Sequence, residues 1–172
     1  MIGEIRIDER PQEFTLGIRV RTPMKGMFAV VDKLFKELNA WKKANGVVPS
    51  GPPFLRYHVI DMQGEMDIEV GIPVTEPHAG DERVTPGEIP AGRYASLIFT
   101  GSGLAGNKAL VEWAKANGVA WDRWEDPQGD AFRARYERFL TDPKVEPRKT
   151  RWEIEVAIKL ADEVPEPRFR PG

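Results

Sequence analysis

The sequence repeats IEVGIPV (residues 68–74) as IEVAIKL (residues 154–160). Apolar residues alternate with other residues through both stretches, which is the pattern of a strand with one buried face. Upstream of each stretch a second pair matches in the same order, WKKANGVV (residues 41–48) and WAKANGVA (residues 113–120). Matches in one order indicate an internal duplication of the chain.

A third, shorter match between Arg56-Tyr57 and Arg135-Tyr136 lies between the first two pairs. Each copy then predicts a strand, a helix and two further strands. The expected elements are strand 14–20, a helix ending at Asn45-Gly46, and strands 54–60 and 65–74, followed by strand 93–100, helix 104–117 and strands near 131–140 and 149–160. We therefore predict an α+β fold made of a duplicated β-α-β-β unit, with an antiparallel sheet, two helices on one face and a ligand cleft between the copies.

These patterns predict a single domain over residues 1–172. Copy one covers about 13–75, a linker rich in proline and glycine covers 76–90, copy two covers about 91–160, and an irregular tail covers 161–172. The repeat begins near residue 15, so we expect no helix-turn-helix ahead of it.

Composition excludes several classes of function. The chain has 172 residues, a net charge of −2 and no cysteine, which predicts a cytoplasmic protein without disulfides that binds neither nucleic acid nor membrane. With His58 and His78 as its only histidines, we expect no metal site and no cofactor. A GxGxxG pattern at residues 101–106 is not read as a nucleotide site, because its surroundings are antiparallel.

The faces of the strands suggest where a ligand binds. Strand alternation places Glu69 and Glu155 on the face opposite the apolar one, beside Gly71 and Ala157, whose small size is expected to leave space for a ligand. We predict that both glutamates point into the groove between the copies. Aromatic walls are expected from the neighbouring strands and from the segment after the second helix, namely Tyr57, Tyr136, Trp121 and Trp124.

Simpler interpretations stay open at this point. Glutamates on a polar strand face are usually solvated, and Tyr57 and Tyr136 are equally suited to cross-strand packing. Trp41 and Trp113 lie on apolar helix stripes and are read as core residues. Trp121 and Trp124 lie among charged residues and are assigned to a pocket wall.

Several motifs together resemble the GyrI-like (gyrase-inhibitor-like) small-molecule binding family, which also supplies the effector-binding domain of some AraC- and MerR-type regulators. They are PAGRYA at residues 90–95, Phe99-Thr100-Gly101, Trp113, Tyr136 with Asp142-Pro143 beyond it, and EVAI at residues 155–158. One departure is Lys159, where the family usually has proline; whether this lysine neutralises Glu155 stays open at this point.

The resemblance implies that Glu155 lies in the cleft and recognises cationic or polarised drug-like molecules. The leading hypothesis is a stand-alone binding protein for apolar small molecules, cationic ones included, as in multidrug recognition. The second is a hydrolase that opens electrophilic cyclopropane-bearing compounds, with Glu155 as general base on water and Tyr136 or Tyr57 stabilising or protonating the leaving group. The third is a protein-interaction module of the gyrase-inhibitor type.

Overall fold

The computed structural model describes residues 1–162. In chain order the elements are β1 (Arg6–Arg10), β2 (Glu13–Pro23), α1 (Met27–Ala44), β3 (Phe54–Ile60), β4 (Glu65–Val74), β5 (Thr85–Ile89), β6 (Gly92–Phe99), α2 (Gly103–Ala116), β7 (Arg123–Asp126), β8 (Gly129–Phe132), β9 (Arg135–Phe139), a short 3-10 turn (Lys149–Arg151) and β10 (Ile154–Lys159). The predicted α+β fold with two helices on an antiparallel sheet is confirmed. In this part of the chain neither helix is long and apolar enough to cross a membrane.

All ten strands of the described residues join one antiparallel sheet, in which eight follow the order β1-β6-β10-β9-β3-β4-β2-β5. The β7–β8 hairpin extends from β3. This order is symmetric about the β9–β3 junction, where copy two meets copy one. The duplication in the sequence therefore becomes an approximate twofold arrangement within one sheet.

The two edge strands were not predicted, and they exchange between the copies. The strand β1 precedes copy one but pairs with β6 of copy two, while β5 lies in the linker and pairs with β2 of copy one. Both carry prolines or charges that hide the alternation of a strand. As a result, the segment ahead of each copy extends the sheet of the other copy.

Both helices pack on the same face of the sheet. The buried residues of α1 are Met27, Val31, Leu34 and Leu38, and they form one core with the apolar residues of β2, β3 and β4. In copy two, Leu110 of α2 packs with apolar residues of β6 and β10. Helix α1 ends as predicted, since Gly46 takes the left-handed conformation with φ 63°.

The strand pairing shows that the third sequence match, of Arg56-Tyr57 with Arg135-Tyr136, does not align equivalent positions. Gly71 pairs with Phe54, and its counterpart Ala157 pairs with Tyr136. Tyr136 therefore corresponds to Phe54, and by the same count Arg138 corresponds to Arg56. The similarity of Arg56-Tyr57 to Arg135-Tyr136 is a coincidence of sequence. The strand predicted near 131–140 is also interrupted, because residues 133 and 134 separate β8 from β9.

Candidate ligand-binding cleft

The face of the sheet opposite the helices is here called the cleft face. Residues paired directly across antiparallel strands project to the same side. The pairs Glu155–Arg138, Arg138–Phe54 and Phe54–Gly71 cross from β10 to β4. Glu69 lies two residues from Gly71 on β4 and so shares this side. Glu155 and Glu69 thus project from one face, with β9 and β3 between their strands.

Aromatic rings fill the centre of the cleft face. Phe54, Tyr94 and Tyr136 are at most 1% exposed and pack with Ile89, Ala134 and Ala157. The ring centroids of Tyr94 and Tyr136 lie 5.9 Å apart, and those of Phe54 and Tyr136 lie 6.3 Å apart. Burial raises the pKa of Tyr94, whose hydroxyl donates a hydrogen bond to the Pro90 carbonyl oxygen. The chain's own side chains therefore occupy much of the expected groove.

Glu155 is held by Arg10, a residue that the sequence patterns did not single out. Arg10 Nη1 donates to Glu155 Oε1 at 2.8 Å, and Nη2 donates to Oε2 at 3.1 Å. The two side chains are only 21% and 18% exposed. Such a bidentate pair is stronger and more directional than a single ionic contact. No local sequence motif predicts this pairing, because Arg10 lies at the end of the edge strand β1, 145 residues away from Glu155 in the sequence.

Every N–H of the Arg10 guanidinium has a partner. Besides Glu155, it donates to Tyr136 Oη at 3.1 Å, to Ser96 Oγ at 3.1 Å and to Asp8 Oδ1 at 2.9 Å. Its carbon lies 5.7 Å from the centre of the Tyr94 ring. Burial alone would lower the pKa of Arg10, but the hydrogen bonds with Glu155 and the neighbouring charges raise it overall. The cleft of copy two thus holds a planar cation supplied by the chain itself.

Lys159 does not neutralise Glu155. Its Nζ donates to Asp122 Oδ2 at 3.0 Å, to Asp162 Oδ1 at 3.1 Å and to the Leu160 carbonyl oxygen at 3.2 Å. The lysine is 4% exposed and joins the segment after α2 to the end of β10. The departure from the family pattern at this position therefore has a structural explanation.

Glu69 has a different partner. His58 Nε2 lies 2.7 Å from Glu69 Oε1, and Glu69 is 7% exposed. The carboxylate lies against Gly17, where an added Cβ would approach Glu69 Oε2 to 2.3 Å. Burial lowers the pKa of His58, and the Glu69 hydrogen bond offsets this only in part. The two glutamates are therefore not equivalent.

The lowered pKa of His58 predicts a pH dependence of stability. Because the folded-state pKa lies below the unfolded value of about 6.5, the unfolded chain binds the proton more readily, and stability falls as the pH falls below that value. Urea unfolding at about pH 7.5 and about pH 5.5 measures this loss. We expect a smaller loss in His58→Gln than in the wild type. Equal losses in the two proteins would show that His58 does not contribute.

Three of the predicted wall residues lie elsewhere. Tyr57 belongs to the core on the helix side, where its hydroxyl donates to the buried Glu137 at 3.2 Å, because strand residues alternate between faces and its neighbour Arg56 takes the cleft face. Trp121 packs on the helix side with the core of copy two. Trp124 is 42% exposed on the β7–β8 hairpin, with the Arg133 guanidinium 4.8 Å from its ring. Of the predicted aromatic residues, Tyr136 is the one placed beside Glu155.

Two further arginines lie on the cleft face. Arg138 forms an ion pair with Glu13 and lies 4.9 Å from the Tyr136 ring. Arg56 donates to the backbone carbonyl oxygens of Glu88 and Arg133 at 2.9 and 2.8 Å, and burial lowers its pKa. Both are 8% exposed. The sequence patterns gave them no role in the cleft.

The fold is that of a duplicated α+β domain whose two halves share one antiparallel sheet. Residues 3–161 match the profile of the GyrI-like small molecule binding domain, and the chain belongs to that family. No curated protein matches the sequence.

Solved structures share the fold. The EcmrR C-terminal domain superposes with a TM-score of 0.69 at 16% identity, over 95% of this chain and 100% of that one. SAV2435 bound to tetraphenylphosphonium gives a TM-score of 0.60 at 10% identity, over 92% and 94% of the two chains. A hydrolase from Listeria innocua gives 0.57 at 12% identity, over 92% of each chain. At these identities the likeness establishes the fold alone.

Proposed function

We propose that the protein binds apolar, cationic small molecules in its cleft and that Glu155 anchors the positive charge. The observation that carries the proposal is the Arg10 guanidinium, a planar delocalised cation held by Glu155, Tyr136 and Ser96 against the Tyr94 ring. A carboxylate beside aromatic faces is the arrangement that recognises such cations. Family membership and a structural relative bound to tetraphenylphosphonium support the same ligand class.

Binding in this site requires Arg10 to leave. Both oxygens of Glu155 accept hydrogen bonds from Arg10, so an incoming cation competes with it for the carboxylate. Arg10 is the last residue of an edge strand and is followed by Pro11. The side chain can therefore move without opening the centre of the sheet.

Titration with tetraphenylphosphonium tests the anchor. We expect Glu155→Gln to bind this cation about tenfold more weakly than the wild type, because the variant loses the charge that faces the ligand and leaves Arg10 with the half-exposed Asp8 as its one remaining ion-pair partner among the described residues. The matched control is Glu153→Gln, which changes an exposed glutamate two residues away and should keep wild-type affinity. Equal affinities of Glu155→Gln and the wild type would refute the charge role.

Hydrolysis is a second candidate with one supporting observation. Tyr136 Oη and Glu155 Oε1 both accept hydrogen bonds from Arg10 Nη1, at 3.1 and 2.8 Å, so a carboxylate and a phenol lie at one point of the cleft. Incubation with an electrophilic cyclopropane followed by mass spectrometry tests it. A product carrying one added water with the wild type, absent with Glu155→Gln, is the expected result. Unchanged substrate at high protein concentration would exclude turnover of that compound.

A further inference from the structure

A second cavity lies on the helix side of the sheet, away from the cleft. It has a volume of about 560 Å³ and opens between the C-terminal half of α2 and the β7–β8 hairpin. Apolar walls come from Val111 and Val119, and from the rings of Trp121 and Phe132. Phe132 belongs to the core beneath α2 and not to the ring cluster of the cleft face. The cavity is thus separate from the site around Glu155.

The charged groups of this cavity are mainly positive. Lys115, Arg123 and Arg135 line it together with one carboxylate, that of Asp130. Asp130 already accepts a hydrogen bond from Arg123 Nε. Within the described residues, neither Lys115 nor Arg135 therefore forms an ion pair with a carboxylate of the lining.

Arg135 is the most informative of these residues. It pairs with Ile158 across β9 and β10, which places it on the helix side. Its side chain makes a single hydrogen bond among the described residues, from Nη2 to Asn107 Oδ1 at 3.0 Å, and its Nε is buried without a partner. The guanidinium carbon lies 4.8 Å from the centre of the Phe132 ring.

The nearest buried acid does not supply the missing counter-ion. Glu137 accepts hydrogen bonds from Tyr57 at 3.2 Å and from Asn107 at 3.1 Å, and no ion pair joins it to Arg135 in residues 1–162. Burial raises the pKa of Glu137 and lowers that of Arg135. Arg135 is partly buried, and a cation withdrawn from water without a hydrogen-bonded anion is costly. An anion entering the adjoining cavity would relieve that cost.

We propose that this cavity binds an amphipathic anion, with its apolar body against Trp121 and Phe132 and its carboxylate or sulfonate at Arg135. Lys115, at the rim on α2, adds a second attractive charge. The inference is independent of the cleft, because it uses the other face of the sheet and a ligand of opposite charge.

Two fluorescent probes that differ in charge test the proposal. Anilinonaphthalene sulfonate has an anionic sulfonate group on an apolar ring system, and N-phenyl-naphthylamine is its neutral analogue. We expect the wild type to bind the sulfonate at least about tenfold more tightly than the neutral probe. Arg135→Met keeps an apolar stem and should abolish that preference. Equal binding of the two probes by the wild type would overturn the proposal.

Controls separate the cavity from the rest of the surface. Lys115 is exposed on α2, and Lys115→Gln should weaken sulfonate binding about twofold to threefold. This variant tests the proposal if Arg135→Met does not fold. Lys108→Gln, on the same helix but outside the cavity lining, should bind as the wild type does, and so should Glu155→Gln. The site would be refuted if the single variants Lys115→Gln and Arg135→Met both bound the sulfonate as the wild type does. Displacement of the sulfonate by tetraphenylphosphonium would refute it as well.

Discussion

Arg10→Met is expected to bind tetraphenylphosphonium about tenfold more tightly than the wild type. In the wild type the cation binds only after Arg10 leaves Glu155, and the fraction of molecules with a free carboxylate scales the apparent affinity. All five N–H groups of Arg10 are bonded, so that fraction is small. Methionine preserves the apolar stem of the side chain and removes the competing charge.

Calorimetric titration of the wild type, Arg10→Met and Arg6→Met with tetraphenylphosphonium measures this change in affinity. Arg6→Met is the matched control, since Arg6 lies on the same edge strand but its side chain is exposed and makes no hydrogen bond or ion pair within the described chain. It should keep wild-type affinity. Weaker or unchanged binding by Arg10→Met would show that Arg10 helps to form the site and does not occupy it.

The double variant Arg10→Met/Glu155→Gln separates the two roles of Glu155. If the carboxylate attracts the ligand directly, the glutamine still weakens binding when Arg10 is absent. If Glu155→Gln acts only through a released Arg10 cation, its effect vanishes in the Arg10→Met background. The coupling energy of this cycle therefore assigns the anchor.

How far the sequence predicts the fold depends on the contacts that hold each element. The strands 54–60 and 65–74 were predicted with the bounds that the structure gives, because their apolar residues alternate and a local turn joins them. The edge strands β1 and β5 have few buried side chains. Their pairing with the opposite copy is a long-range contact that leaves no period in the sequence.

The candidate site shows the same contrast between features that local alternation predicts and contacts that come from distant strands. Strand period predicts that Glu155 and Glu69 share one face, and the paired strands place them on one face in the structure. Partners such as Arg10 and His58 come from other strands, and the period of a single strand carries no information about them. Tyr57 was expected on the cleft because its strand adjoins that of Glu69, but one residue of register moves a side chain to the opposite face, and Arg56 takes the cleft face.

Gly71→Ala is expected to destabilise the protein by about 1–3 kcal/mol, the usual cost of overpacking a filled core. The small residue at this position was predicted to leave room for a ligand. Instead, the Phe54 ring covers it, and an added Cβ would lie 2.4 Å from Phe54 Cζ and 3.1 Å from the Leu16 carbonyl oxygen. Phe54 is fully buried, so its ring has little space to retreat.

Urea unfolding of Gly71→Ala and Gly51→Ala measures that cost, because at Gly51 an added Cβ would meet only Pro73 Cγ at an ordinary 3.5 Å. Gly51→Ala should stay within about 0.5 kcal/mol of the wild type. In a Phe54→Leu background the alanine at position 71 should cost less, since the ring that it strikes is gone. An equal cost in both backgrounds would place the strain in the backbone. Copy two already carries alanine at the matching position, Ala157, beside Tyr136, so the two halves of the cleft differ at the contact between strand and ring.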